Sequence, residues 1–258
     1  MNRPVAFITG ASSGIGLATA RFLASSNYHL MLFDRDGGTL EAVASELETI
    51  GAKVIAIAGN IACEADLDRA MSSIRTNFGC LDAVVANAGI NGVWAPIDDL
   101  SPDEWDTTIR VNLRGTYLTL NRTVPLLKEK GAGSIVIVAS INGVRSFTNA
   151  GATAYSATKA AQVAMTYQLA LELARAGIRI NVVCPGAIDT NIDASTEIRD
   201  RQETEVPVIW PEGTIPLSDG EPGMASDVAE TIRFLLSDAA RHITGTPVFI
   251  DGGQGLLK

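Results

Sequence analysis

Tyr155 and Lys159 stand four residues apart in the stretch AYSATKAAQ. On a helix that spacing puts both side chains on one face. A free phenol, with a pKa near 10, is a poor acid–base group at neutral pH, and a neighbouring ammonium lowers that value by stabilising the phenolate. Such a pair can give a proton to a carbonyl oxygen or take one from an alcohol. Taken alone, the pattern more often marks a solvated helix face. The preceding run SIVIVAS, residues 134–140, reads as a strand ending at Ser140. In a doubly wound sheet the strand end and the start of the next helix face the ligand crevice. Ser140 can therefore reach the same substrate oxygen as Tyr155. The only histidines, His29 and His242, lie in no catalytic or metal-binding motif. A histidine-based hydrolase or dehydrogenase, or a metal centre, has little raw material here.

A second constellation lies near the N-terminus. TGASSGIG, residues 9–16, joins a short apolar run to a helix-like segment. Gly10, Gly14 and Gly16 allow a tight turn and let the backbone approach a pyrophosphate, which the free N–H groups of a helix start can bind. Ser13 and Ile15 lie in the same loop. No Gly-Lys-Ser/Thr follows, so this is not the loop of a nucleoside triphosphatase. The next apolar run ends at Asp34, roughly twenty residues further on, where an acidic group accepts hydrogen bonds from an adenosine ribose. A carboxylate there repels a 2′-phosphate, which favours NAD over NADP. Arg35 would contact such a phosphate if Asp34 turned away, so NADP stays open.

The elements that must position these groups alternate in type. VAFIT (5–9), HLMLF (29–33), KVIAIA (53–58), DAVVAN (82–87), SIVIVAS (134–140), IRINVVC (178–184) and PVFID (247–251) are apolar nearly throughout. That pattern suits strands covered on both faces. Helix-length segments with three- and four-residue apolar spacing lie between them. The expectation is an α/β fold, a doubly wound parallel sheet of about seven strands with helices on both faces, in one domain over 1–258. Residues 188–224 are polar, rich in proline and glycine, and without a period, so they are expected to form an irregular insert at the ligand edge.

The chain has 258 residues, 47% of them hydrophobic, and a formal net charge of −9. No run of lysine and arginine stands out, which argues against nucleic-acid and anionic-membrane partners. Cys63, Cys80 and Cys184 have neither disulfide nor zinc spacing and read as buried thiols. The opening residues run straight into the glycine loop, without a signal-peptide pattern, and no stretch is long enough to span a bilayer. The expectation is a soluble, cytoplasmic protein.

These motifs together resemble the short-chain dehydrogenase/reductase family in its single-domain form, over essentially the whole chain. TGASSGIG is similar to that family's cofactor loop, NAG (Asn87, Ala88, Gly89) to its element after the fourth strand, and VNLRG places Asn112 at its catalytic asparagine. Ser140, Tyr155 and Lys159 match the remaining tetrad members. PGAIDT resembles the segment holding the nicotinamide carboxamide, through Pro185, Gly186, Ile188 and Thr190. The resemblance implies an oxidoreductase of secondary alcohols or ketones. Tyr155 would be the acid–base, Lys159 would lower its pKa and bind the nicotinamide ribose, Ser140 would polarise the substrate oxygen, and Asn112 would support a water chain. It also implies a homotetramer or homodimer. Two departures stand out. The interval from Ser140 to Tyr155 is longer than is usual and is expected to reshape the substrate pocket. Asn60 replaces a common aspartate near the adenine and is expected to accept its hydrogen bond, with Ile61 packing nearby.

Substrate-lining candidates are Ile141, Asn142, Val93, Trp94, Asn149 and Trp210, although the two tryptophans equally suit packing or subunit contact. They carry few fixed charges, which suits a small neutral hydroxyl or carbonyl compound. Alternatives are an NADPH-dependent 3-oxoacyl-thioester reductase, a non-catalytic dinucleotide-binding regulator, and a lyase or epimerase on the same scaffold.

Overall fold

All seven apolar runs become strands of one parallel sheet in the computed structural model, which describes residues 3–205 and 215–257. The chain begins with β1 (Val5–Thr9), α1 (Gly14–Ser25), β2 (His29–Asp34), α2 (Gly37–Glu48), β3 (Val54–Ala58), α3 (Glu64–Asn77) and β4 (Ala83–Ala86). A short β5 (Gly92–Trp94) precedes α4 (Pro102–Thr108), a π-helical turn (Ile109–Arg114) and α5 (Gly115–Lys130). Then come β6 (Gly133–Val138), α6 (Thr153–Ala174) and β7 (Ile178–Pro185). The ligand-edge segment carries β8 (Ile188–Asp189), β9 (Thr196–Ile198), α7 (Arg201–Thr204) and β10 (Gly223–Met224). The chain finishes through α8 (Ala225–Leu236) and β11 (Pro247–Ile250).

The sheet order is β3-β2-β1-β4-β6-β7-β11. Ile8 pairs with Leu32 on one side and Val85 on the other, so the order reverses between β1 and β4. A crevice opens at the strand C-termini of such a switch point. Alternation along the strands separates two cores. Phe7, Met31 and Phe33 face one, with α3 residues Leu67 and Ile74. Ile8, Leu30 and Leu32 face the other, with Leu23 and Leu40. This is a Rossmann-type α/β architecture, as the alternating pattern predicts. Among the described residues no helix is long and apolar enough to cross a membrane.

Three expectations change. Strand β6 stops at Val138, two residues before Ser140. The Ala139 and Ile141 amides still donate to Val183 and Pro185 carbonyls at 2.8 and 2.9 Å, so Ser140 keeps its place at the sheet edge. The insert is more regular than its composition predicts: β8 pairs with β10, and β9 pairs with β5. The partner of β9 lies about a hundred residues away, so no local period announces it. Of the cysteines, Cys184 is buried, while Cys63 and Cys80 are partly exposed.

Candidate active site

The first half of the crevice is built by excluding side chains. Gly10 has φ +67°, and a Cβ on Gly16 would lie 1.9 Å from the Gly10 carbonyl oxygen and 2.7 Å from Asn87 Nδ2. That amide donates to the Thr9 and Gly10 carbonyls at 3.0 and 3.1 Å, which clamps the loop against the end of β4. No side chain caps α1 at Ser13, and the Gly14, Ile15 and Gly16 amides find no protein acceptor among the described residues. A bare helix start, approached only by backbone, fits a pyrophosphate. Gly10, Ser13, Gly14 and Ile15 line this part of the crevice, and Gly16 packs beneath it.

Asp34 closes the same half. Its two oxygens accept from the amides of Ser12 (3.1 Å) and Asp36 (3.2 Å), so the carboxylate is held facing the loop and does not turn away. Arg35 is exposed beside it. Asn60, Ile61, Ala88 and Gly89 also line this cavity. The Asn60 carbonyl oxygen accepts the Ala62 amide at 2.9 Å in a turn of its own, and its NH2 has no protein partner among the described residues.

Tyr155, Lys159, Gln162, Val163, Thr166 and Ala170 lie on the buried face of α6. This spacing turns the tyrosine and lysine inward together. Lys159 is 4% exposed, donates to the Val138 carbonyl at 3.0 Å, and lies 5.4 Å from the Tyr155 ring centroid. Burial pulls its ammonium down from 10.5 to about 8. Burial also pushes Tyr155 up to about 12, while the adjacent Ser140 hydroxyl acts in the opposite direction. The expected lowering of the phenol by Lys159 is thus not what the protein alone produces. Desolvation of the anion dominates, and the lysine's donor is turned to the strand carbonyl.

Asn112 is fully buried in the π-helical turn. Its Oδ1 accepts the Ile90 amide and its Nδ2 donates to the Ile90 carbonyl, both at 2.8 Å, with Thr158 Oγ1 at 3.2 Å. Its own carbonyl accepts from Thr116 Oγ1 and Gln162 Nε2. The residue expected to support a water chain ties the segment after β4 to α5 and α6.

A cavity of about 390 Å³ over Tyr155 completes the site. Ser140, Lys159, Pro185, Gly186, Ile188 and Thr190 line it, as do the expected Trp94, Asn142 and Asn149. Thr190 and Ile15 line both cavities, which makes the crevice continuous. Trp210 lies outside the described residues. Sequence reasoning missed Asn91 and Gln254. Asn91 Nδ2 donates to Thr196 Oγ1 at 2.8 Å, and Gln254 Oε1 accepts the Ala187 amide at 2.8 Å. Asn91 follows NAG closely enough to be a positional candidate; no local signal points to Gln254. The ligand-edge segment is latched from outside by Arg199, which donates to Asp99 at 2.8 Å and to Glu104 at 3.0 Å.

Residues 4–201 match the family model described as short chain dehydrogenase. Levodione reductase from Leifsonia aquatica is 36% identical over 97% of this chain and 93% of its own length. Cyclohexanol dehydrogenase from Acinetobacter sp. strain SE19 is 35% identical, over 97% and 94%. Among solved structures, a 3-ketoacyl-ACP reductase from Sinorhizobium meliloti 1021 is 57% identical with TM-score 0.95, covering 99% of this chain and all of that one. A 3-ketoacyl-(acyl-carrier-protein) reductase from Brucella melitensis, complexed with NADH, is 34% identical with TM-score 0.85, covering 98% of both chains.

Proposed function

Since this chain belongs to the short-chain dehydrogenase/reductase family, we propose that it moves a hydride between NAD and a small neutral secondary alcohol or ketone, with Tyr155 as the acid–base. The observation that carries this reading is the meeting of Tyr155, Ser140 and Lys159 on one wall of the cavity that continues into the glycine-loop crevice. When bound, the nicotinamide supplies or accepts the hydride. The protein's own groups handle the proton and the geometry. Tyr155 is protonated at neutral pH and donates its phenolic proton to the substrate oxygen in reduction; it receives that proton in oxidation. Ser140 accepts the Asn142 amide at 3.1 Å and keeps its O–H for the same oxygen. Lys159, still largely charged at neutral pH, stabilises the phenolate left after the transfer. Asn112 holds the floor of the site in register.

Tyr155→Phe tests the chemistry. Turnover is expected to fall by about 10²–10⁴-fold, the usual worth of a positioned acid–base, with the dinucleotide dissociation constant changed by less than about threefold. Near-wild-type turnover would overturn the role of Tyr155. The choice of NAD rests on Asp34 and is supported by the NADH carried by the Brucella melitensis relative. NADH is expected to bind at least about tenfold more tightly than NADPH, because a fixed carboxylate opposes a 2′-phosphate. Asp34→Ser should bring the two within about threefold.

A second reading is reduction of a 3-oxoacyl thioester, a substrate class favoured by the 57% identical Sinorhizobium meliloti 3-ketoacyl-ACP reductase, with NADPH as the alternative cofactor. Comparing kcat/KM for acetoacetyl thioester with NADPH and for a cyclic ketone with NADH separates the two.

A further inference from the structure

The cavity over Tyr155 holds a buried carboxamide that has no partner among the described residues. Asn142 is 6% exposed and lines this cavity, yet its side chain makes no hydrogen bond among the described residues. The other buried asparagines are at least partly engaged. Asn112 and Asn181 have both ends of their carboxamides bound by protein, and Asn91 has its Nδ2 bound to Thr196 Oγ1. Only Gln162 Oε1 is both sealed from solvent and unpaired among the described residues, so the Asn142 amide opens into the cavity. Keeping a buried amide unpaired destabilises the protein unless a ligand or water satisfies it.

The backbone around Asn142 holds that amide in a defined place. The Val144, Arg145 and Ser146 amides converge on the Ile141 carbonyl at 2.8–3.1 Å. Gly143 has φ +86°, and a Cβ there would lie 2.3 Å from the Ser156 carbonyl oxygen, so the turn is pressed directly onto α6. Through its own N–H, Asn142 also orients Ser140, two residues back. The group that aims Ser140 at the reacting oxygen and the free carboxamide therefore belong to one residue.

The rest of the cavity limits what the amide can read. Trp94 forms an apolar wall, its ring centroid 6.4 Å from that of Tyr155. Lys159 is the only cation lining the cavity among the described residues, and it is committed to Val138 and Tyr155. Asp189 and Asp193 are exposed at the rim and repel anions. The volume of about 390 Å³ must hold the nicotinamide as well.

From these observations we propose that Asn142 reads a second hydroxyl or carbonyl on the carbon next to the reacting one. The substrate is then a small, uncharged, vicinally oxygenated compound, such as a cyclic hydroxyketone, diol or sugar. This rests on the alcohol–ketone reading of the site.

The test compares 2-hydroxycyclohexanone with cyclohexanone, which share size and reacting group. Reduction by NADH is followed for kcat/KM, and calorimetry of each ketone against the dinucleotide-free enzyme, which has no hydride donor or acceptor, measures binding without turnover. Wild type is expected to favour the hydroxyketone by at least about tenfold in both, since a site built to pair a hydroxyl discriminates against the analogue that lacks it. Asn142→Ala should cut that ratio to within about threefold. A wild-type ratio near one, or a ratio unmoved by Asn142→Ala, overturns the proposal and leaves the redox reading standing. Preferential binding without turnover of either ketone supports the proposal and overturns the redox reading. If neither ketone binds or reacts, both fall. The wild-type ratio does not depend on how the variant folds.

Discussion

Around the glycine loop, the crevice is shaped by what is missing; over Tyr155 it is shaped by what reaches in. In the first region, Gly10 and Gly16 bring backbone onto backbone, and Asn87 locks the contact with two bonds to carbonyls. In the second, Asn91 reaches Thr196, Arg199 reaches Asp99 and Glu104, and Gln254 reaches Ala187, each joining segments 67 to 105 residues apart. A backbone contact of the first kind has no slack, because no rotamer can relieve an added Cβ. Side-chain contacts of the second kind share their load, so losing one leaves the others. The difference suits the ligands. A pyrophosphate is the same whatever the substrate, whereas a substrate wall must be reshaped without unfolding the cofactor cradle.

The hardest way to break the comparison is at Gly16. Gly16→Ala puts a Cβ 1.9 Å from the Gly10 oxygen, so the loop must open. The dinucleotide dissociation constant is expected to rise at least about 100-fold, with roughly 2–4 kcal/mol of stability lost. Equilibrium binding by fluorescence and urea unfolding measure both. A shift under threefold would mean that the loop has slack after all, and the contrast with the substrate wall would collapse.

Lys159 lies in the second region, on the wall of the cavity over Tyr155, where burial works against stability. Its ammonium is lowered from 10.5 to about 8. Between those values the folded chain binds fewer protons than the unfolded one, so this contribution to stability improves as pH rises from 8 to 10.5. Below pH 8 the buried charge costs roughly 3 kcal/mol. Lys159→Met removes that cost and leaves the Val138 carbonyl unpaired, worth about 1 kcal/mol or more in the other direction. The variant is expected to be more stable than wild type at pH 7 by about 1–2 kcal/mol, with the gain vanishing toward pH 10.5, while turnover drops by at least about tenfold. Urea midpoints at the two pH values check it; destabilisation at pH 7 would show that the lysine is a structural support and not a strained functional group.

Legibility in the sequence follows the same divide. The glycine loop, Asp34 and the paired Tyr155 and Lys159 are local patterns: a turn, a strand end, one turn of helix. Residues two to twenty apart carry them, so the sequence displays them. Asn91, Gln254 and Arg199 act through partners in distant segments, and nothing in their neighbours' composition announces the pairing. The short strands β5 and β9 were hidden for the same reason, since neither has an apolar period of its own. The Tyr155 shift is a subtler miss. Spacing places a cation near the phenol, but the sign of the shift depends on how completely both are withdrawn from water, and only the packed structure supplies that.

The mildest break is at Arg199. Its guanidinium spans Asp99 and both oxygens of Glu104, and its backbone N–H donates to the Trp94 carbonyl at 2.9 Å. Glu104 also accepts the Ser101 amide at 2.9 Å in a capping box at the start of α4. Arg199, together with these Ser101 bonds, holds the Glu104 carboxyl at about 2, below its usual 4.5. A lowered carboxyl contributes fully above 4.5 and loses its contribution as pH falls through about 2, so the latch is closed at any ordinary assay pH. The groups are solvated, however, and surface ion pairs are worth little individually. Arg199→Met keeps the backbone bond to Trp94 and the β5–β9 pairing, so the wall loosens and does not detach. Substrate KM is expected to rise about 2–5-fold, with faster amide exchange across 196–199. The dinucleotide dissociation constant should stay within about twofold, because none of the latch's hydrogen bonds among the described residues reaches the glycine loop. Were dinucleotide binding to weaken as much as substrate binding, the two regions would be one mechanical unit, and the tolerance ascribed to the substrate wall would have to be sought inside the cavity, at residues such as Trp94 and Asn142.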